Sequence, residues 1–126
     1  MFSILNKPRN IKLLFRGSEH NFKAEAFHKN CDNIKNTLTV VRTEFGKTIA
    51  GFSHYKWNQV SDYKNVEDSN RRSFLLQLDS MEVLMPQKDC GLIQCFSGAG
   101  PAFGRYHDLY ITDNCHQNRS SFANFP

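Results

Sequence analysis

The sequence has no long apolar run, so it predicts no membrane-spanning helix. A helix needs about 20 consecutive apolar residues to cross a bilayer, and no stretch of the chain approaches that length. The apolar start, Met1–Leu5, is too short for a secretory signal. Residues 1–18 contain basic residues but no Asp or Glu, which is weakly compatible with a mitochondrial presequence and more typical of a basic edge of a folded domain.

The cysteines lack the spacing of a zinc knuckle or a redox pair. Cys90 and Cys95 are too far apart for a Cys-x-x-Cys pair. Without a secretory signal, we expect the cysteines to be buried or free thiols in a reducing compartment. His28 with Cys31, and the adjacent Cys115–His116, provide ligand residue types without ligand spacing. The sequence therefore predicts no metal and no cofactor.

Charge is not concentrated at any point of the chain. The net charge is +4, from 16 Lys and Arg against 12 Asp and Glu, and the basic residues are scattered. This favours solubility and weak attraction to acidic surfaces but lacks the basic cluster of a nucleic-acid-binding face. The 126 residues include 11 Phe, enough for one domain with a compact β core. We expect neither a nucleic-acid partner nor membrane insertion.

A glycine-rich segment, GAGPAFG at residues 98–104, raises the question of a phosphate site. A P-loop needs a Lys followed by Ser or Thr and then a helix, and a dinucleotide fingerprint places its glycines between a strand and a helix. Here no Lys follows Gly98, Gly100 and Gly104, and the period-two segment Tyr106–Thr112 predicts a strand. The glycines are therefore expected to form a turn, with positive φ or close backbone approach at a sheet corner.

Apolar periodicity predicts one clear helix, from Phe22 to Cys31. Asn21 is its expected N-cap, and Asp32-Asn33 is expected to end it. The residues at i, i+3, i+4 and i+7, which share one helical face, are Ala24, Phe27, His28 and Cys31.

Several short strands are predicted around this helix, which indicates a mainly β domain. The clearest hairpin pairs Thr37–Thr43 with Thr48–Tyr55 around Gly46. Gly51 in the return strand predicts a bulge or the close approach of another backbone. The other predicted strands are Ile11–Arg16 (with a short helix as the alternative), Ser73–Leu78 and Gly91–Phe96. Ser61–Arg72 is expected to be a loop. The tail is expected to be irregular, with Phe122 and Phe125 as anchors.

Four segments of the chain resemble, in order, the segments of the TLDc domain family. They are LLFRGSEHNFKAEAFHKNCDN, TLTVVRTEFGKTIAGF, SFLLQL and GPAFGRYHDLYITDNC, and the resemblance runs from about Leu13 to Phe125. It implies a two-sheet antiparallel sandwich flanked by short helices, with residues 1–12 as an extension and residues 13–126 as the domain. It also implies a link to oxidative-stress resistance and to binding of the vacuolar proton-pumping ATPase (V-ATPase), with no accepted reaction.

The resemblance implies structural roles for nine residues and no catalytic, cofactor-binding or metal-binding residue. These nine are Gly17, Phe27, Cys31, Asp32, Gly51, Gly100, Phe103, Gly104 and Asp108. Arg105 and Tyr106 stand where the family usually has glycines, and the sequence stops at Pro126, before the acidic, β-branched strand that ends the family domain. Either the domain is degenerate or the chain is a fragment. We expect the resulting open sheet edge to be completed in trans.

Three functions compete at this point. We favour a non-enzymatic, cytoplasmic interaction module that binds V-ATPase subunits or a large assembly; cytoskeletal association and a mitochondrial location are alternatives. A structural subunit embedded in a cytoskeletal or ciliary assembly would also explain an open edge and the many Phe. A Cys/His enzyme is the third reading, although nothing in the spacing demands it and a His on a buried helix face is more often a hydrogen-bonded core residue. Its candidate residues are Glu25, His28, Cys31, His107 and Asp108.

Overall fold

Nine short strands pair into two antiparallel sheets in the computed structural model, which describes residues 10–57, 65–67, 72–85, 91–104 and 108–123. The elements are α1 (Ala24–Cys31), β1 (Thr37–Arg42), β2 (Thr48–Ser53), β3 (Asn65–Glu67), β4 (Phe74–Gln77), β5 (Glu82–Leu84), β6 (Gly91–Gln94), β7 (Ala99–Phe103), β8 (Leu109–Thr112) and β9 (Phe122–Ala123), with 3-10 turns at Gly17–Glu19 and Cys115–Gln117. The first sheet has the order β1-β2-β4-β5 and the second β3-β6-β7-β8-β9. The predicted mainly β sandwich is confirmed.

The hairpin β1–β2 forms as the sequence predicts. Its register runs without a break from Thr37 opposite Ser53 to Arg42 opposite Thr48. Gly46 adopts φ +78° in the connection, a conformation that glycine reaches without steric cost. The strands predicted at 73–78 and 91–96 are also confirmed, as β4 and β6.

Three aromatic side chains join the helix to the sheets in the core. The Phe27 and Trp57 rings meet edge to face with centroids 5.5 Å apart, and Trp57 meets Phe103 in the same way at 5.4 Å. All three side chains are buried, and such edge-to-face contacts are favourable beyond the area they bury. Gly51 makes room for this arrangement, because a Cβ there would lie 2.5 Å from the Phe103 ring. The predicted close approach at Gly51 is therefore real, but it is made by a side chain instead of a backbone.

Helix α1 starts two residues later than predicted and is capped differently. Asn21 does not cap it: the N-cap position is Lys23, without a side-chain cap bond, and Asn21 has φ +52°. Instead, the backbone N–H of Ala24 donates to Asp113 Oδ1 at 2.7 Å. The helix ends at Cys31, as predicted, and buries the expected face through Ala24, Phe27 and Cys31. Local sequence could not indicate a cap that comes from 89 residues further along the chain.

Replacing Asp113 with alanine is expected to lower the free energy of unfolding by about 1 kcal/mol, the usual loss for removal of an N-cap acceptor. Urea unfolding measures the change. Asp113→Asn keeps an acceptor oxygen and should retain most of the stability. Arg119→Ala, at an exposed position of the same corner, should change stability by no more than about 0.5 kcal/mol. Equal stability of the Asp113→Ala variant and the wild type would show that this cap contributes nothing.

Two predicted segments differ from the structure. Residues 11–16 form no strand: Ile11 and Leu13 remain exposed, and only Leu14 and Phe15 pack against the core. No described strand pairs with this segment. Within the predicted loop Ser61–Arg72, the described residues include β3, which pairs antiparallel with β6. The tail, predicted to be irregular, forms a 3-10 turn and β9, while Phe125 lies outside the described residues.

Candidate functional site

The glycines of residues 98–104 do not form one loop, because residues 99–103 are strand β7. Gly98 lies in the preceding turn. Gly100 lies within β7, where a Cβ would be 3.3 Å from the backbone oxygen of Ile111 on the adjacent strand. Gly104 turns the chain with φ +85°, and a Cβ there would collide with the Asp108 carboxylate. Positive φ and close backbone approach, the two predicted roles, are both present, and β7 leads to a strand instead of a helix.

His28 connects α1 to the second sheet through Nε2, while Nδ1 contacts the C-cap residue of α1, Asp32. Nδ1 lies 2.6 Å from Asp32 Oδ1, and Nε2 lies 2.6 Å from the carbonyl oxygen of Phe96 and 2.8 Å from that of Ala99. The contacts of Nε2 are tertiary and that of Nδ1 is local, so both ring nitrogens already have an oxygen partner. Neither nitrogen is available to withdraw a proton from Cys31, one helical turn away, while these bonds hold.

Cys31 and Cys115 are poor nucleophiles because burial raises the pKa of each thiol. Burial raises the pKa of Cys31 to about 11, and the nearby Asp32 carboxylate contributes in the same direction. Burial also raises the pKa of Cys115. Cys31 and Cys95 are buried thiols, as expected, and Cys115 is partly exposed. Because the thiolate is the reactive form, a raised pKa suppresses reaction at neutral pH.

We expect iodoacetamide to label Cys115 before Cys31 and Cys95 in the folded protein at pH 7.5. Access favours Cys115, and a raised pKa means that labelling of Cys31 should keep accelerating as the pH approaches about 11. Peptide mass mapping resolves each cysteine separately. In guanidinium chloride the three should react at similar rates, which provides the control. Labelling of Cys31 in the folded protein faster than in the unfolded chain would contradict this account.

The structure describes all nine residues that the resemblance marked as structural, and that assignment stays a prediction. Gly17 begins a 3-10 turn in which a Cβ would lie 2.5 Å from the Phe22 ring. Phe27, Cys31 and Phe103 lie in the core, with Gly51 against the Phe103 ring. Asp32 contacts His28, and the remaining three lie in the β7–β8 segment: Gly100, Gly104 and Asp108. Of the residues proposed for an enzyme, Glu25 is exposed on α1 and His107 lies outside the described residues.

The described ranges hold no metal cluster and no membrane-spanning helix, but they form cavities of different size. Across them, no group of three or more His, Cys, Asp or Glu residues is placed to hold a metal ion, and no helix has the length and apolarity to cross a membrane. An apolar cavity beneath α1, lined by residues that include Phe22, Phe27, Pro101 and Ile111, measures about 40 Å³. A second cavity lies where the start of β2 meets the end of β4, is lined by residues that include Lys47 and Asp79, and measures about 310 Å³. Ligand pockets are typically about 300–1,000 Å³, so the cavity beneath α1 is a packing gap, whereas the second reaches the lower end of that range.

The β1–β2 hairpin exposes apolar side chains together with basic ones. Leu38 and Val40 on β1 are 48% and 56% exposed, and Phe45 at the hairpin tip is 84% exposed. Arg42 and Lys47 lie beside them and are also exposed. We call this set, Leu38, Val40, Arg42, Phe45 and Lys47, the hairpin surface. The sequence predicts the hairpin but not the exposure of these apolar side chains, because alternation in β1 does not show which face of the strand stays uncovered.

Comparison with known proteins gives one result. The family model described as the TLDc domain matches residues 2–125 of this chain. No curated protein and no solved structure gives a significant match.

Proposed function

Because the chain belongs to the TLDc domain family, we propose that it is a non-enzymatic protein-interaction module whose partner is the V-ATPase. The observation that carries this proposal is the family match over residues 2–125. That family is linked to V-ATPase binding and to oxidative-stress resistance, and we choose the V-ATPase as the proposed partner for this reason. We place the protein in the cytoplasm, where it would meet the cytosolic subunits of the pump.

The chemistry of the described residues supports a binding role over a catalytic one. A catalytic Cys–His pair needs a thiolate and an imidazole free to accept a proton. Here the pKa of Cys31 is raised and both nitrogens of His28 contact acceptor oxygens. We therefore propose that any protection against oxidants is indirect and acts through a partner. A folded variant with all four cysteines replaced by Ala or Val should retain both its partners and its protective effect.

The second candidate function is that of a structural subunit embedded in a large cytoskeletal or ciliary assembly. The hairpin surface favours it to a degree, because contiguous exposed apolar side chains mark surfaces that partners cover. Under either function, we propose that a sheet edge is completed in trans by a partner strand.

Affinity capture from cells distinguishes the two candidates. The tagged full chain is compared with its Phe27→Ala variant, which lacks a buried core aromatic and controls for binding that does not need the folded domain. Recovery of V-ATPase subunits with the wild type alone supports the main proposal. Recovery of cytoskeletal or ciliary proteins without the pump supports the second candidate. Equal recovery of the pump by both forms would show that the folded domain is not responsible.

A further inference from the structure

We propose that the open edge of β1 binds an extended acidic-apolar segment of a partner protein, which pairs antiparallel with β1 as a fifth strand of the first sheet. The inference rests on the proposed function as an interaction module and specifies where and how it binds. The pattern expected in the partner is acidic-x-apolar-x-apolar, read from its N-terminal end.

The hydrogen bonds of the hairpin identify which backbone groups face the open edge. Thr43 N donates to Lys47 O at 2.8 Å, which fixes Thr43 as a residue bonded toward β2. In an antiparallel pair such residues alternate with residues that point the other way. The bond from Leu78 N to Thr48 O, 3.0 Å long, agrees, because Thr48 is directed away from β1 and lies opposite Arg42. The residues of β1 whose N–H and C=O face away from β2 are thus Leu38, Val40 and Arg42.

No described strand pairs with that side of β1, which is the end strand of its sheet. Natural edge strands are usually protected by shortness, an outward charge, a proline or a bulge. β1 has six residues in unbroken register and presents Leu38 and Val40 before the first charge, Arg42. The other described end strands, β3, β5 and β9, have only two or three residues each. β1 is therefore the described edge best suited to receive a further strand.

The side chains along this edge determine the chemistry of the partner. A segment that runs antiparallel to β1 meets Arg42 first, then Val40, then Leu38. A carboxylate opposite Arg42 and apolar side chains opposite the other two give favourable cross-strand pairs. Lys35 and Lys47 are exposed near the ends of β1, and exposed Glu44 in the hairpin tip offsets only one of these charges, so the edge keeps a net positive charge that favours an acidic partner. An antiparallel direction also continues the pairing used throughout this sheet.

A second copy of this chain fits the edge less well. Antiparallel pairing of two β1 strands centred on Val40 would place each Arg42 opposite Leu38 of the other copy. Each guanidinium would then face an apolar side chain without a carboxylate opposite it. The charge of the edge thus favours an acidic partner over self-association.

A labelled peptide, Gly-Glu-Thr-Val-Thr-Leu-Thr-Gly, tests the pairing by fluorescence anisotropy with the full chain. Its Glu, Val and Leu would lie opposite Arg42, Val40 and Leu38. Methylation of the peptide's Val amide nitrogen removes a bond to β1 and should weaken binding at least tenfold. Methylation of the central Thr amide, which would point to solvent, should leave binding unchanged. This matched pair differs only in which edge of the peptide is blocked.

Two variants of the protein test the same pairing by changing β1 instead of the peptide. Val40→Pro removes an outward N–H while leaving the bonds to β2, as proline is tolerated on a strand's free edge. Arg42→Glu reverses the charge. Each should weaken binding at least tenfold without changing the melting temperature, whereas Lys29→Glu, an exposed reversal on α1, should not. If Val40→Pro fails to fold, the methylated peptides still decide the question with the wild-type protein.

Three results with the purified chain would overturn the proposal: no saturable binding of the peptide up to millimolar concentration, equal weakening by the two methylations, or a dimer without peptide that Val40→Pro abolishes. The last would assign the edge to a second copy. The proposed function is tested separately, because V-ATPase capture by a folded Val40→Pro variant at wild-type yield would refute this docking site and leave V-ATPase binding standing.

Discussion

Replacing Phe27 with alanine is expected to lower the free energy of unfolding by about 3–5 kcal/mol, the usual loss for a large buried aromatic. Phe27 lies on the buried face of α1 and contacts the rings of Phe15 and Trp57 edge to face, with centroids 5.8 and 5.5 Å apart. Truncation would remove both contacts and leave a cavity between the helix and the sheets. Because marginal stability is typical of single domains, a loss of this size can unfold much of the protein.

Urea unfolding followed by circular dichroism measures the effect, with Phe45→Ala as the matched control. Phe45 is the same residue type but is almost fully exposed at the hairpin tip, so its removal should change stability by no more than about 0.5 kcal/mol. A loss below about 1 kcal/mol for Phe27→Ala would show that the helix does not depend on this face. If Phe27→Ala is too unstable to purify, Phe27→Leu should give a smaller loss with the same sign.

Replacing Gly51 with alanine is expected to destabilise the protein by about 1–3 kcal/mol, the range for overpacking a filled core. Glycine inside a strand normally costs roughly 0.5–1 kcal/mol relative to alanine, so relief of that cost alone would give the opposite sign. Here the added Cβ would lie 2.5 Å from the Phe103 ring. Phe103 is itself confined by Trp57, and steric overlap should therefore outweigh the gain in backbone entropy.

A double-mutant cycle attributes this loss to the ring. Phe103→Leu removes aromatic atoms near Gly51, so the double variant should be more stable than the sum of the two single losses predicts. Gly98→Ala is the control, since nothing lies within 4 Å of a Cβ there; it should be neutral or slightly stabilising. Strict additivity in the cycle would mean that Gly51 does not make room for Phe103.

Local periodicity was sufficient to predict the helix face and the β1–β2 hairpin. The spacing of Ala24, Phe27 and Cys31 reports burial on one helical side, and β-branched residues around Gly46 report a turn between strands. Residues 11–16 show the limit of the same reasoning. Their apolar content predicts a strand, yet pairing depends on a partner that sequence does not supply.

Contacts between distant residues account for what the sequence could not predict. Asp113 caps α1 from 89 residues away, and His28 meets backbone carbonyls 68 and 71 residues away. Single-sequence patterns carry no signal for such pairs. The glycine segment illustrates an intermediate case: positive φ and close approach were predicted correctly, but the strand conformation of Ala99–Phe103 was not, because glycine and proline are weak strand formers.

Titration of purified V-ATPase with the purified chain, followed by biolayer interferometry, tests the proposed interaction without other cellular proteins. We expect saturable binding by the wild type, retention of binding by a folded variant without cysteines, and loss of binding by Phe27→Ala. The proposal fails if a correctly folded wild-type chain shows no saturable binding to the pump at concentrations up to tens of micromolar.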